Sequence, residues 1–267
     1  MKCERLTDQD LPRIRHLQPE GWPDITLSFR FYLDQDYCFP VQVTAGGRII
    51  GLGVSVSLGR TAWVAHIIVD PGFRKQGIGY GIVEHLMQAI REQGIETALL
   101  IATELGEPVY VKAGFRRLSD YVFFKREQPG IEEPLSKHIR PYQTGFYPDI
   151  IRLDALATGE DRRRLFGYYL DQASVWVDDH AVRGFYIPGL GEGPIIADRE
   201  EAGLDLMQLK YSTVNKAVLP AANLKAISWL RRMGFEEMAT RGVRMLSGKE
   251  IPWHPEMIFS RIGGNLG

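Results

Sequence analysis

The sequence Val-Asp-Pro-Gly-Phe-Arg-Lys-Gln-Gly-Ile-Gly-Tyr-Gly, residues 69–81, decides the fold of this chain. Before it, residues 62–69 form an apolar run rich in β-branched and aromatic side chains, which is typical of a strand. Pro71 and Gly72 end that run, because proline cannot donate to a sheet ladder and glycine permits a turn. After it, apolar residues recur at helical spacing as far as Gly94. The segment therefore predicts a strand, a glycine-rich loop and a helix that begins at the glycines.

A helix that begins at glycines is suited to binding phosphate. Its N-terminus presents unpaired N–H groups and a partial positive charge, and Gly77 and Gly79 carry no side chains that would obstruct an anion. The loop has neither the Gly-Lys-Ser/Thr of a P-loop nor the glycine spacing of a dinucleotide fingerprint. Its pattern is Arg-x-x-Gly-x-Gly, from Arg74 to Gly79. The alternative interpretation is an ordinary glycine-rich turn beside an exposed basic pair.

In its strand and helix context, this pattern resembles the acetyl-CoA pyrophosphate loop of the GNAT acetyltransferase superfamily. The resemblance implies acetyl-CoA as co-substrate. It also implies that loop N–H groups hold the pyrophosphate and that strand main chain pairs with the pantetheine arm. The cofactor-binding residues implied in this way are Ile67, Ile68, Val69, Arg74, Lys75, Gln76, Gly77, Ile78, Gly79 and Tyr80.

A second motif supports the same resemblance. Tyr110 lies four residues before Gly114-Phe115, which matches the Tyr-x-x-x-Gly-Phe pattern of many GNAT enzymes. The resemblance implies that its phenol hydrogen-bonds the departing thiolate and donates a proton; the alternative is a buried helix tyrosine with a backbone partner. Many members also place an asparagine before this helix, and this chain does not. Thr103 or Glu107 would then make any cofactor contact there.

Two residues are candidates for the general base that takes the proton of the amine. His66 lies on the strand that leads into the loop, and Glu104 follows the next strand. Side chains alternate along a strand and a bulge would reverse that alternation, so the sequence leaves the orientation of His66 open. A water relay without a dedicated side-chain base is a third interpretation.

The acceptor side is predicted from the helices that precede the sheet. Residues 25–33 have helical spacing, and in the GNAT fold such helices and their connecting loop border the acceptor site. By that resemblance Trp22, Phe29 and Tyr32 line the acceptor site. The alternative for each is ordinary core packing on an aromatic helix face.

Composition limits the remaining function classes. The chain has 267 residues, 32 basic and 33 acidic side chains, and only two cysteines. The balanced charge gives no reason to expect a nucleic-acid partner, and no apolar run approaches the length of a membrane span. The histidines and cysteines have no metal-ligand spacing, and the few cysteines favour a cytoplasmic protein.

The second half of the chain repeats the first weakly. The order helix, strand, helix, Gly-Phe, strand occurs over residues 77–125 and again over 198–246, but acidic side chains replace the phosphate loop in the second copy. The chain therefore resembles a tandem GNAT protein, with an active domain at 1–128, a proline-containing linker at 129–148, and a GNAT-like domain at 149–267 that lacks the CoA loop. The fold class expected is α/β (α+β), with mixed, mainly antiparallel twisted sheets flanked by helices.

These observations predict an acetyl-CoA-dependent N-acetyltransferase that acts on a primary amine of a small molecule by direct attack. The competing hypothesis is a non-catalytic CoA-binding sensor or interaction module. The second half is expected to shape the acceptor site, or to form a homodimer.

Overall fold

The structure is a computed structural model that describes residues 2–127, 134–179 and 181–267. It divides into two compact units. The first contains the residues up to Arg116 together with Met245–Lys249 and Leu266, and the second contains Arg117–Arg244, Glu250–Asn265 and Gly267. The division does not follow the sequence repeat, because each unit includes residues from the opposite half of the chain.

The first unit is a twisted sheet with helices around it. Its strands are β1 (Lys2–Arg5), β2 (Cys38–Ala45), β3 (Arg48–Leu58), β4 (Thr61–Val69) and β5 (Thr97–Ala102), and its helices are α1 (Ile25–Asp34), α2 (Ile78–Glu92) and α3 (Glu107–Lys112). Strands β1 to β4 are antiparallel neighbours, and β5 is parallel to β4. The predicted strand, glycine-rich loop and helix are confirmed as β4, residues 70–77 and α2.

Helix α2 lies against the sheet through one apolar face, which fixes where its N-terminus lies. Ile82, Val83 and Leu86 are fully buried on that face. Close approach requires glycine on β3, because a Cβ atom at Gly53 would lie 2.5 Å from the Ile82 side chain. The start of α2 is thereby held at the end of β4.

The described residues of the second unit include two groups of strands and several helices. Its strands are β6 (Arg116–Lys125), β7 (Ile139–Pro141), β8 (Ser174–Asp178), β9 (Ala181–Tyr186), β10 (Ile195–Ala197), β11 (Lys216–Pro220), β12 (Glu236–Gly248) and β13 (Ile258–Ser260), and its helices are α4 (Tyr147–Thr158), α5 (Arg163–Phe166), α6 (Glu200–Tyr211) and α7 (Leu224–Arg232). One group has the order β13-β10-β9-β8-β7, and in the other β6 lies between β12 and β11. With these mainly antiparallel sheets and flanking helices, the predicted fold class is confirmed.

Two strands contribute residues to a packing unit that the sequence repeat did not predict for them. Strand β6 was predicted to close the first domain, yet residues 117–125 belong to the second unit, where β6 pairs antiparallel with β11. Strand β12 contributes its last residues to the first unit, where the N–H of Lys249 donates to the Glu96 carbonyl at 3.0 Å. The packing units thus differ from the domains predicted at 1–128 and 149–267, which stay a prediction about the sequence repeat.

Part of the predicted linker, residues 129–133, lies outside the described residues. The later part is structured, because residues 139–141 form β7 and pair with β8, and α4 begins at Tyr147.

Candidate active site

The start of α2 has the geometry of an anion-binding site. Gly77 caps the helix with φ at +81°, a left-handed conformation that glycine adopts without steric cost. The first intrahelical bond runs from the N–H of Gly81 to the Gly77 carbonyl at 2.9 Å. The three preceding N–H groups, those of Ile78, Gly79 and Tyr80, therefore have no acceptor within the helix and remain available to a bound phosphate.

The loop before α2 is held in place by a carboxylate that the sequence reasoning missed. Asp70 is buried, accepts the N–H of Gly72 at 2.9 Å, and forms an ion pair with Arg48 at 2.7 Å. Arg74 is tied to the same strand end, because its Nε donates to the Val69 carbonyl at 3.1 Å. The position of Asp70, two residues before a turn glycine, was the available signal, since aspartate commonly accepts the N–H two residues on.

The sheet opens beside this helix start. Parallel pairing between β4 and β5 is described only from Thr61 opposite Thr97 to Trp63 opposite Leu99. Beyond that point no pairing between these two strands is described in residues 2–127, so the edge of β4 that leads to Val69 is available to an extended polar ligand. A Cβ atom at Gly79 would lie 3.6 Å from the Val69 side chain, which places the opening directly at the N-terminus of α2.

A β-bulge settles the orientation of His66, which the sequence left open. Leu52 pairs with Ile68 and Val54 with Ala65, so that His66 and Ile67 together oppose Gly53. His66 has φ at +50°, an uncommon conformation for a residue with a Cβ atom, and such positions occur often at functional sites.

The structure brings His66 together with all three residues predicted to line the acceptor site. The His66 ring centroid lies 5.6 Å from Trp22, 5.8 Å from Phe29 and 5.5 Å from Tyr32, each in an edge arrangement. Its Nδ1 lies 2.9 Å from the Tyr32 hydroxyl. Burial lowers the pKa of His66 to about 4, so the imidazole is neutral at physiological pH.

The three aromatic residues differ in exposure. Phe29 and Tyr32 are 0% and 1% exposed, which agrees with the alternative of core packing, whereas Trp22 is 42% exposed. Trp22 lines a surface pocket of about 390 Å³ together with Arg15, Gln18, Asp24 and Thr26. Gln18, which the sequence reasoning did not single out, shapes this loop because its Nε2 donates to the carbonyls of Trp22 and Pro23, both at 3.1 Å.

Tyr110 lies in the short helix α3 with its ring half-buried. Its centroid is 6.1 Å from that of Phe115, and a Cβ atom at Gly106 would lie 3.1 Å from the tyrosine ring. Burial raises the pKa of Tyr110 to about 12, so the phenol keeps its proton. Within residues 2–127 no hydrogen bond of its hydroxyl is described, which leaves that group available to a ligand.

The remaining candidates lie on the turn after β5. Thr103 shapes the turn, because its hydroxyl accepts the N–H of Gly106 at 3.3 Å and its carbonyl accepts that of Glu107 at 2.9 Å. Glu104 is exposed and takes no part in the ring contacts around His66. The geometry therefore favours His66 over Glu104 as the general base. A role of Glu104 as that base stays a prediction.

In the second unit the corresponding space is filled by the chain itself. Strand β13 pairs with β10, and the N–H of Arg261 donates to the Val218 carbonyl on β11 at 3.3 Å. Asn223 caps α7 by accepting the N–H of Ala226 at 3.0 Å, and its Nδ2 donates to the Ile258 carbonyl at 3.0 Å. Acidic Glu200 and Glu201 occupy the first turn of α6, which disfavours phosphate there.

The described residues include neither a candidate membrane-spanning helix nor a candidate metal cluster. None of the helices found there is long and apolar enough to cross a bilayer. No group of three or more His, Cys, Asp or Glu side chains in the same residues is arranged to hold a metal ion.

Comparison with known families gives one match in each half of the chain. Residues 5–115 match the acetyltransferase (GNAT) family, and residues 150–260 match an acetyltransferase (GNAT) domain. The uncharacterized N-acetyltransferase YitH of Bacillus subtilis (strain 168) is 29% identical over 157 residues, which cover 54% of this chain and 51% of that protein. The [ribosomal protein bS18]-alanine N-acetyltransferase of Escherichia coli (strain K12) is 26% identical over 97 residues, covering 36% of this chain and 65% of that protein. The matched parts thus span about half to two thirds of these relatives.

Solved structures share the fold over nearly the full length. A putative acetyltransferase from Pyrococcus horikoshii superposes with a TM-score of 0.83 at 18% identity, covering 100% of this chain and 95% of that one. A tandem GNAT protein from the clavulanic acid biosynthesis pathway has a TM-score of 0.62 at 14% identity, covering 92% of this chain and 98% of that one. The two family matches confirm the tandem arrangement predicted from the sequence repeat, and these solved structures share its fold.

Proposed function

Because both halves of the chain belong to the GNAT acetyltransferase family, we propose that this protein transfers an acetyl group from acetyl-CoA to a primary amine of a small molecule, with the chemistry in the first unit. One observation supports this proposal most strongly. The N-terminus of α2, with three N–H groups free of intrahelical acceptors, lies at the opening between β4 and β5. A diphosphate and an extended amide-containing arm need this combination.

The donor would be held mainly by main-chain groups. In this proposal the N–H groups from Gly77 to Tyr80 bind the pyrophosphate, and the exposed side chains of Lys75 and Gln76 border it. The main chain of Ile67 to Val69 pairs with the pantetheine arm along the free edge of β4. Thr103 and Glu107 border the arm from the turn after β5.

The side chains then have separate tasks in the transfer. Acetyl-CoA supplies an activated thioester carbonyl, at which the amine forms the C–N bond while the C–S bond breaks. Neutral His66 accepts the proton of the amine nitrogen as that nitrogen becomes positively charged. Protonated Tyr110 hydrogen-bonds the departing sulfur and is its proton source. Solvent exchange then returns both residues to their starting protonation states.

Release of free thiol across a panel of amines tests the proposal. Mixing the protein with acetyl-CoA and amino acids, polyamines, aminoglycosides or short peptides should release thiol with at least one class. Tyr110→Phe should lower kcat by roughly a hundredfold and leave the dissociation constant of acetyl-CoA within about twofold, because a general acid contributes about 10²–10⁴-fold to rate.

Tyr168→Phe is the matched control, since Tyr168 is 86% exposed and lies outside the proposed site. It should behave like the unmodified protein. Unchanged turnover in Tyr110→Phe would remove the phenol from the mechanism. Binding of acetyl-CoA without thiol release for any amine would favour the CoA-binding module instead.

One acetyl-CoA per chain is a further expectation. The second unit has acidic residues at the start of α6, and β13 lies against β10 where an arm would have to enter. Isothermal titration of the full chain with acetyl-CoA should therefore give a single site. The desulfo analogue serves as a non-reacting control, and two sites per chain would contradict the assignment of the chemistry to the first unit.

A further inference from the structure

We propose that Tyr32 is a positioning residue for His66, accepting the Nδ1–H of the imidazole so that the lone pair of Nε2 is left for the acceptor amine. This inference rests on the proposed function, because it assigns a role to one contact within the proposed acceptor site. Tyr32 was expected from the sequence to touch the acceptor itself. Its burial at 1% exposure argues against direct contact and in favour of action through His66.

The contact between His66 and Tyr32 is fixed both by the strand that carries His66 and by the helix that carries Tyr32. On the strand side, the bulge at His66 directs the ring out of the regular alternation of β4. On the helix side, Tyr32 is kept in place by an edge contact with Phe29 at 5.6 Å. The hydroxyl of Tyr32 then lies 2.9 Å from Nδ1, a normal hydrogen-bond length. The ring of His66 is therefore fixed by a bond as well as by packing.

The direction of this hydrogen bond decides whether His66 can act as a base. A neutral imidazole carries one proton, and the nitrogen without that proton is the one that accepts. If Nδ1–H donates to the phenol oxygen, Nε2 is unprotonated and can take a proton from the amine. If the phenol donates to Nδ1, Nε2 carries the proton and cannot. A phenol can donate or accept, and in the proposed arrangement Tyr32 accepts, which holds His66 in the competent tautomer.

Nitrogen-15 NMR of the full chain with labelled histidine tests the tautomer directly at neutral pH, without any acceptor. In the unmodified protein, we expect His66 to carry its proton on Nδ1. Assignment comes from the loss of its resonances in His66→Gln. A His66 proton found on Nε2 would overturn the proposal, and this result is independent of whether any amine is acetylated.

Tyr32→Phe provides the kinetic test, because it removes only the hydroxyl and keeps the ring that packs on Phe29. We expect a drop in kcat of roughly tenfold or more, an acetyl-CoA dissociation constant within about twofold of the unmodified protein, and a mixture of His66 tautomers. Tyr168→Phe is again the control. A Tyr32→Phe protein with unchanged kcat and an unchanged tautomer would overturn the proposal.

If the thiol-release assay finds no acceptor, the proposed function fails. The NMR measurement of the His66 tautomer still tests the role of Tyr32 independently. Thermal unfolding of Tyr32→Phe shows whether the variant is folded under the assay conditions. If Tyr32→Phe is unfolded, the tautomer of His66 in the unmodified protein tests the proposed role of Tyr32.

Discussion

Gly79→Glu is expected to weaken acetyl-CoA binding by at least about a hundredfold, which corresponds to about 2.8 kcal/mol at 25 °C. Gly79 lies in the first turn of α2, and a Cβ atom there would be in ordinary contact with Val69 at 3.6 Å, so the fold itself should tolerate a side chain. The added carboxylate would stand at the helix N-terminus where the diphosphate is proposed to bind. Titration calorimetry with acetyl-CoA measures the change in affinity.

Gly81→Glu is the matched control, because it adds the same charge two residues further along an exposed part of the same helix. A Cβ atom at Gly81 meets nothing within 4 Å. We expect a loss of affinity of no more than about fivefold, since the effect of the helix N-terminus falls off within the first turn. Equal affinities for the two variants would show that the diphosphate does not bind at the start of α2.

The phosphate loop was predictable because its structure is local. The strand, the turn and the helix each have a signal within residues 62–94, and a positive φ at Gly77 is what a glycine at a helix start permits. The helix cap at Asn223 is local in the same way, since its side chain accepts the N–H of a residue three positions further along the chain.

The bulge at His66 could not be predicted, because it depends on the partner strand. Gly53 opposes the two bulge residues and has no side chain where α2 packs on β3, and nothing in residues 61–69 alone indicates that packing. The contact between His66 and Tyr32 joins residues 34 positions apart, so it follows from the packing of α1 and not from either local pattern.

Strand pairing was the other feature that the sequence could not determine. Residues 116–125 and 236–248 both follow a Gly-Phe pair and have similar local patterns. Which neighbour each strand pairs with depends on contacts far along the chain, and the pattern of a single strand carries little information about that choice. The repeat was therefore detectable while the membership of β6 and of residues 245–249 was not.

A chain that ends at residue 127 is expected not to fold, although it contains all but the last residue of the active domain predicted at 1–128. It would lack Met245 and Leu246, which are 0% and 1% exposed in the first unit. Loss of these two buried side chains costs about 3–6 kcal/mol, which is comparable to the total stability of a typical domain. It would also lack the Lys249 carbonyl, which accepts the Thr97 hydroxyl at 2.8 Å beside β5.

The same truncated chain would leave β6 without β11, its partner along residues 121–125. Tyr121 and Phe124, both 0% exposed in the full chain, would then face water and favour aggregation. Circular dichroism and thermal unfolding should show no cooperative transition for residues 1–127, in contrast to the full chain. Co-expression with residues 134–267, which restores both missing segments, is the rescue experiment and should return acetyl-CoA binding. A monomeric chain of residues 1–127 that unfolds cooperatively and binds acetyl-CoA as tightly as the full protein would show that the first domain closes at residue 128 as the sequence repeat suggests.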